Sequence, residues 1–409
     1  MEPARRSVSS LLVSLILVLC ALVLFVIALF MGIGAFFPYF FGGNEIDPDS
    51  TILGTVFAAE AVILIFASFF CIQKYLNQAS AEIQARFHMP VWLILSLIVG
   101  SCIALAAGYF LNQSGVLTWL ALPLLTLPAV LLPIYLLLGL GTNSIELGPR
   151  WRAWGIFGIG MTIGPLLLFI IELVTLILLF FILFAVIATL PDINREFLQL
   201  ASQIQQAEGE PESMIGILLP YLLKPQVVFL FLLFFCGVAT LVEELLKPLG
   251  LWLFAGKLES PAQRFALGAL SGGAFALVET FGSIAQSMDW ASLVGARVAT
   301  GLMHILTTGL MGWGIAHAWR ERKFLMLLLA YAGSFLIHGI WNGNIILYTL
   351  STMAREYDAT IPFGKLSPIT FNIAILLSMT MLGILVFTNR KLRQIYPPAP
   401  VKNPESTLV

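Results

Sequence analysis

Ten stretches of the sequence are apolar for long enough to cross the hydrocarbon core of a lipid bilayer, and no other feature narrows the possible folds as much. They run from Leu11 to Phe37, Ile52 to Ile72, Pro90 to Leu111, Leu117 to Leu140 and Ile156 to Leu190, then from Val227 to Phe254, Phe265 to Gln286, Leu293 to Trp319, Leu325 to Leu350 and Ile369 to Phe387. A spanning helix needs roughly 20 mainly apolar residues. In lipid each backbone N–H and C=O must be satisfied inside the element, so such runs fold as helices. The chain is 59% hydrophobic and 11% charged, against about 25% charged in an ordinary globular domain. A water-soluble core cannot hold that much apolar surface. The expected fold is all-α: a polytopic transmembrane helical bundle of about ten spans, in an integral multi-pass protein surrounded by the lipid bilayer. The first run follows Arg5 and Arg6 and is longer than the roughly 7–15 residues of a signal-peptide core. It also lacks a small-residue cleavage site, so it reads as a retained helix.

Placing the N-terminus in the cytoplasm collects Arg5, Arg6, Lys74, Arg86, Arg150, Arg152, Lys257, Arg264, Arg320, Arg322, Lys323, Arg390, Lys391 and Arg393 on that side. The opposite side keeps Arg195, Lys224, Arg355 and Lys365 among the acids Asp192, Glu196, Glu208, Glu210, Glu212, Asp289, Glu356 and Asp358. By the positive-inside rule both termini are expected to be cytoplasmic. Residues 1–190 form an N-terminal membrane region of five spans to which the sequence assigns no role. Residues 191–225 form an extracytoplasmic loop in which Ile193, Phe197, Leu200 and Ile204 recur at helical spacing, the pattern of an amphipathic helix resting on the outer leaflet. Residues 226–388 hold the other five spans, and residues 389–409, with Pro397, Pro398, Pro400 and Pro404, read as a disordered cytoplasmic tail. A net charge of −1 with no long Lys/Arg run excludes nucleic acid as a partner. Cys20, Cys71, Cys102 and Cys236 lie in apolar runs without paired spacing, so they suggest neither a disulfide framework nor a zinc knuckle.

An ionised side chain at the bilayer centre costs at least about 2.5–3.5 kcal/mol on insertion scales, so each one needs a partner or a task. In the first half Glu60 and Glu172 stand alone in their spans and read as protonated, hydrogen-bonded packing residues. The second half is richer: Glu243, Glu244 and Lys247 in the sixth span, Glu279 in the seventh, Arg297 and His304 in the eighth, His338 and Asn342 in the ninth. Helical spacing of four brings Glu243 towards Lys247 and His338 beside Asn342. At about 1.5 Å of rise per residue, and with the sixth helix continuing through Pro248, Glu243, Glu279, His304 and His338 all fall roughly 20 Å from the cytoplasmic ends of their helices. That common level lies past the middle of a core about 30 Å thick. Glycines around these positions, among them Gly268, Gly272, Gly273, Gly301, Gly309, Gly312 and Gly339, allow close helix approach. Arg297, near the outer end of its helix, reads as a stabilising residue, His317 as an interfacial one, and His88 falls in a loop.

At these residues the sequence resembles the PrsW family of intramembrane proteases, within the superfamily of CAAX prenyl endopeptidase-like membrane proteases. The resemblance rests on Glu243-Glu244-x-x-Lys247, Phe275-x-x-x-Glu279, His304 with Thr307 and Gly309, and His338-x-x-x-Asn342, in that order and in separate helices. It covers about Val227 to Asn344, and Thr280 stands where the family pattern has Asn. It implies that residues 226–388 are a catalytic membrane core in a bacterial plasma membrane. It also implies a membrane-anchored protein substrate, as in the release of an anti-sigma factor. Glu243 or Glu244 can act as base, tuned by Lys247, while His304, His338 and Asn342 position water and stabilise an oxyanion. Equally, Glu243, Glu279, His304 and His338 can converge on Zn²⁺ with a position open to water. No His-Glu-x-x-His run is present, and spacing does not choose between the two. A proton-coupled transporter or a catalytically inactive scaffold of the same fold are the alternative readings.

The charge asymmetry makes a direct prediction. In a cysteine-free variant carrying Ser202→Cys, a membrane-impermeant thiol reagent applied to intact cells should label the protein. Labelling only after the membrane is broken reverses the orientation.

Overall fold

A computed structural model describes residues 7–42, 46–114, 118–189, 191–207, 211–254, 260–284, 290–358 and 360–397. Arg5, Arg6, Glu208, Glu210, Lys257, Asp289, the expected span limits Leu117, Leu190 and Gln286, and the prolines from Pro398 onward lie outside them. Among the described residues ten helical segments are long and apolar enough to span a membrane. The chain is an all-α, integral multi-pass membrane protein.

The helices are α1 (Val8–Phe40), α2 (Pro48–Tyr75), α3 (Val91–Ser114), α4 (Thr118–Thr142), α5 (Arg150–Met161), α6 (Ile163–Thr189), α7 (Pro191–Gln206) and α8 (Pro211–Leu222). After these come α9 (Pro225–Leu232), α10 (Thr240–Leu246), α11 (Leu249–Leu253), α12 (Pro261–Ser283), α13 (Trp290–Glu321), α14 (Phe324–Tyr357) and α15 (Ser367–Ile395). A π-helical segment, Leu233–Ala239, joins α9 to α10. α15 continues to Ile395, into the segment read from the sequence as tail.

Two compact units are present, and they do not follow the two halves of the chain. The first comprises residues 1–165, 247–334 and 381–409. Its central helix is α12, where Phe265, Ala266, Leu267, Ala269, Ala274 and Ala276 are fully buried. The small residues of α12 decide how it meets α13. A Cβ at Gly272 would overlap the carbonyl oxygen of His304, one at Gly268 that of Thr308, and one on α13 at Gly312 that of Arg264. Backbone thus lies on backbone along this pair, the contact that glycine permits between helices in lipid. Ser271 Oγ donates to the Lys247 carbonyl at 2.7 Å, Trp290 Nε1 donates to Thr126 Oγ1 at 2.8 Å, and Asn389 Nδ2 donates to the Gly141 and Asn143 carbonyls at 3.1 Å each. A short antiparallel pair, β1 (Gln84–Arg86) and β2 (Glu146–Pro149), sets Gly148 opposite Ala85 with φ +82, in the left-handed region that suits a residue without Cβ.

The second unit comprises residues 166–246 and 335–380. Large exposed apolar side chains line much of α6, from Leu166 and Phe169 to Phe181 and Phe184, as expected of a lipid-facing helix. α7 takes up the amphipathic stretch read from the sequence, and Lys224 Nζ donates to Glu196 Oε2 at 2.8 Å. That hydrogen bond to Glu196 raises the Lys224 pKa above its ordinary value. Asn344 Nδ2 donates to the Thr370 carbonyl at 3.1 Å, and the Cβ-free face of Gly339 lies against the Cys236 carbonyl oxygen.

Two spans are less regular than the sequence suggests. The fifth run is divided at Thr162, whose φ of −120 and ψ of −79 separate α5 from α6. The sixth does not continue through Pro248. α10 ends at Leu246, and Lys247 and Pro248 form a turn before α11. A proline ring crowds the carbonyl four residues back, and the residue before proline is steered away from the α region.

Overlap with backbone cannot be relieved by a rotamer change, so Gly272→Ala should destabilise the α12–α13 pair by about 1–3 kcal/mol. Gly333, with nothing within 4 Å of an added Cβ, provides the contrast. Thermal unfolding in detergent should show a lowered midpoint for Gly272→Ala and an unchanged or raised one for Gly333→Ala.

Candidate active site

The site residues of the second unit lie on α10 and α14. Just before Glu243 and Glu244 the backbone takes its π turns, and Thr240 Oγ1 donates to the Phe235 carbonyl, five residues back, at 2.8 Å. One extra residue per turn rotates everything that follows, and such insertions recur at functional sites. Glu244, with no exposed surface, meets His338 Nδ1 through Oε1 at 2.8 Å. An ionised carboxylate only accepts, so the ring donates from Nδ1 and keeps its lone pair on Nε2. Asn342, one turn along α14, brings Nδ2 to within 3.1 Å of that Nε2 and also donates to the Phe235 carbonyl at 3.3 Å. Glu243 Oε2 stands 3.7 Å from His338 Nε2. The expected pairing of His338 with Asn342 is present.

The site residues of the first unit lie on α12 and α13. His304, 1% exposed, places Nε2 at 2.6 Å from Glu279 Oε2. The Glu279 side chain is 38% exposed. The ring of Phe275, one turn before Glu279 on α12, packs edge-on against His304 with centroids 5.2 Å apart. Lys247 Nζ sits 5.1 Å from the Phe275 centroid. Lys247 follows the last residue of α10. Arg297 NH2 approaches Glu279 Oε2 at 3.0 Å. The sequence reading left Arg297 to snorkel or to pair with an acid in a stabilising part, and did not name Glu279 as that acid. Its spacing of seven from His304, two turns along one helical face, was the available signal.

The remaining ionisable residues lie elsewhere. Glu60 is buried on α2 at 2% exposure, Glu172 is on α6, and His317 Nδ1 pairs with Glu321 at 3.1 Å while Trp313 packs on its ring.

Each unit thus carries a histidine held by a carboxylate through one ring nitrogen. In unit two the lone pair is on His338 Nε2; in unit one the Nε2–H donation to Glu279 leaves it on His304 Nδ1. Second-residue carboxylates of this kind typically matter 10–100-fold for metal affinity or activity. Glu244→Ala should therefore reduce turnover by about 10–100-fold, and Glu244→Gln, whose carbonyl still accepts from Nδ1, by less. Steady-state cleavage rates of the purified variants check the order.

Residues 212–365 match the family model described as PrsW family intramembrane metalloprotease. No curated protein and no solved structure matches the chain. The matched segment contains Glu243, Glu244, Lys247, Glu279, His304, His338 and Asn342 and excludes the first five spans. Over residues 212–365 this multi-pass membrane protein is similar to the PrsW family of intramembrane metalloproteases.

Proposed function

We propose that the chain is a metal-dependent intramembrane endopeptidase in which Glu243 and His338 hold the ion with Glu244 orienting His338, and in which, by resemblance to the family, His304 oriented by Glu279 is a further ligand. The observation that carries this reading is the 3.7 Å between Glu243 Oε2 and His338 Nε2. Two ligand atoms each about 2.0–2.2 Å from a tetrahedral Zn²⁺ are about 3.4 Å apart, so this pair is spaced for a shared ion. A direct hydrogen bond would be shorter. The family description as a metalloprotease supports the same choice. A zinc ion bound there would supply a Lewis acid and lower the pKa of a water.

The protein's own groups do the rest. Glu243, offering one carboxylate oxygen to the ion, would accept the proton of the attacking water with the other as the new C–O bond forms, and return it to the amide nitrogen as the C–N bond breaks. The Asn342 Nδ2 amide donates to the developing oxyanion. Glu244 keeps His338 in the tautomer whose lone pair is on Nε2, and Glu279 keeps His304 in the one whose lone pair is on Nδ1. Lys247 adds positive charge near Phe275 in the unit that holds His304. The substrate in this reading is a membrane-anchored protein, an anti-sigma-factor-like one by resemblance to the family.

The test is cleavage of a fluorogenic membrane-anchored peptide by purified variants in liposomes. Glu243→Gln should be inactive while folded, and Asn342→Ala should lose about 10²–10³ in rate, as for removal of one oxyanion donor. Chelation should abolish activity and zinc should restore it, with Glu60→Gln and Glu172→Gln staying active. Full activity in Glu243→Gln would sink the mechanism; chelator-resistant cleavage that still needs Glu243 would return the water to carboxylate activation alone.

A further inference from the structure

We infer that Arg297 is a positioning residue for this reaction, acting through Glu279 on His304. The inference rests on the proposed function and adds a residue that the sequence motifs do not contain. Arg297 and His304 are seven residues apart on α13, about 10 Å along the axis, on the same face. Glu279 enters between them from α12. A single oxygen, Oε2, faces both: Arg297 NH2 at 3.0 Å and His304 Nε2 at 2.6 Å.

The geometry explains why the arginine belongs there. Its guanidinium lies 3.0 Å from the same oxygen that meets His304. A planar, always-charged guanidinium holds a carboxylate in place, and a carboxylate held in place fixes the orientation of the ring it meets. Arg297 itself is well covered, with 16% of its side chain exposed, so bulk water screens the pair little. Glu279, engaged twice through one oxygen, is thereby better suited to aiming His304 than to serving as a ligand.

Arg297→Ala should lower kcat about 10–100-fold with KM unchanged, and should weaken zinc binding by the apoprotein by a similar factor. A chromophoric chelator competing for zinc measures that affinity without any catalytic turnover. Arg297→Lys, which keeps the charge, should recover most of both losses, whereas a residue needed only for packing would not be rescued by charge. Arg297→Gln takes the place of Arg297→Ala if the latter fails to fold. Wild-type kcat and zinc affinity in the charge-removing variant overturn the inference and leave the proposed function standing. So does a fall in thermal stability with neither constant changed. If wild-type protein binds no zinc and Glu243→Gln and His338→Ala both cleave at full rate, the proposed function fails and the inference with it.

Discussion

A carboxylate carried into the bilayer must be met there by a group that repays its lost hydration, and the site of this protein is organised around that requirement. Glu244 meets His338 and Glu279 meets His304, each pair drawn from two different helices. Neither pair can form unless its helices approach closely. On α12 and α13 that approach is made by Gly268, Gly272 and Gly312, whose missing side chains let backbone rest on backbone. On α14 Gly339, the residue after His338, lies against the carbonyl of Cys236 in the π segment. Polar pairing and small-residue packing are therefore two sides of one arrangement: an alanine at these glycines would move the histidine before it removed any charge.

Much of this was legible in the sequence because bilayers impose simple rules. Run length and apolarity found all ten spans, and the isolated acids and histidines stood out against an 11% charged background. The amphipathic stretch beginning at Pro191 was readable from its spacing. What could not be read was local backbone irregularity. No periodicity rule signals that Leu233–Ala239 takes π geometry, and Pro248 could equally have kinked a continuous helix as ended it. Spacing likewise gives no signal that Lys247 stands over the ring of Phe275. Nor do the compact units follow the midpoint of the chain: α1 to α5 share a unit with α12 and α13. This gives the N-terminal spans a structural part in holding α12 that their own sequence does not reveal.

The two histidines are held by opposite ring nitrogens, Nδ1 for His338 and Nε2 for His304. This asymmetry follows from where each carboxylate originates. Glu244 comes from α10, is sealed from solvent and holds the His338 ring. Glu279 comes from α12 and meets both His304 and, at 3.0 Å, Arg297. The two carboxylates also differ in what substitution removes: loss of Glu244 takes the acceptor from a buried ring, whereas loss of Arg297 leaves the Glu279–His304 contact possible but no longer held from a second side.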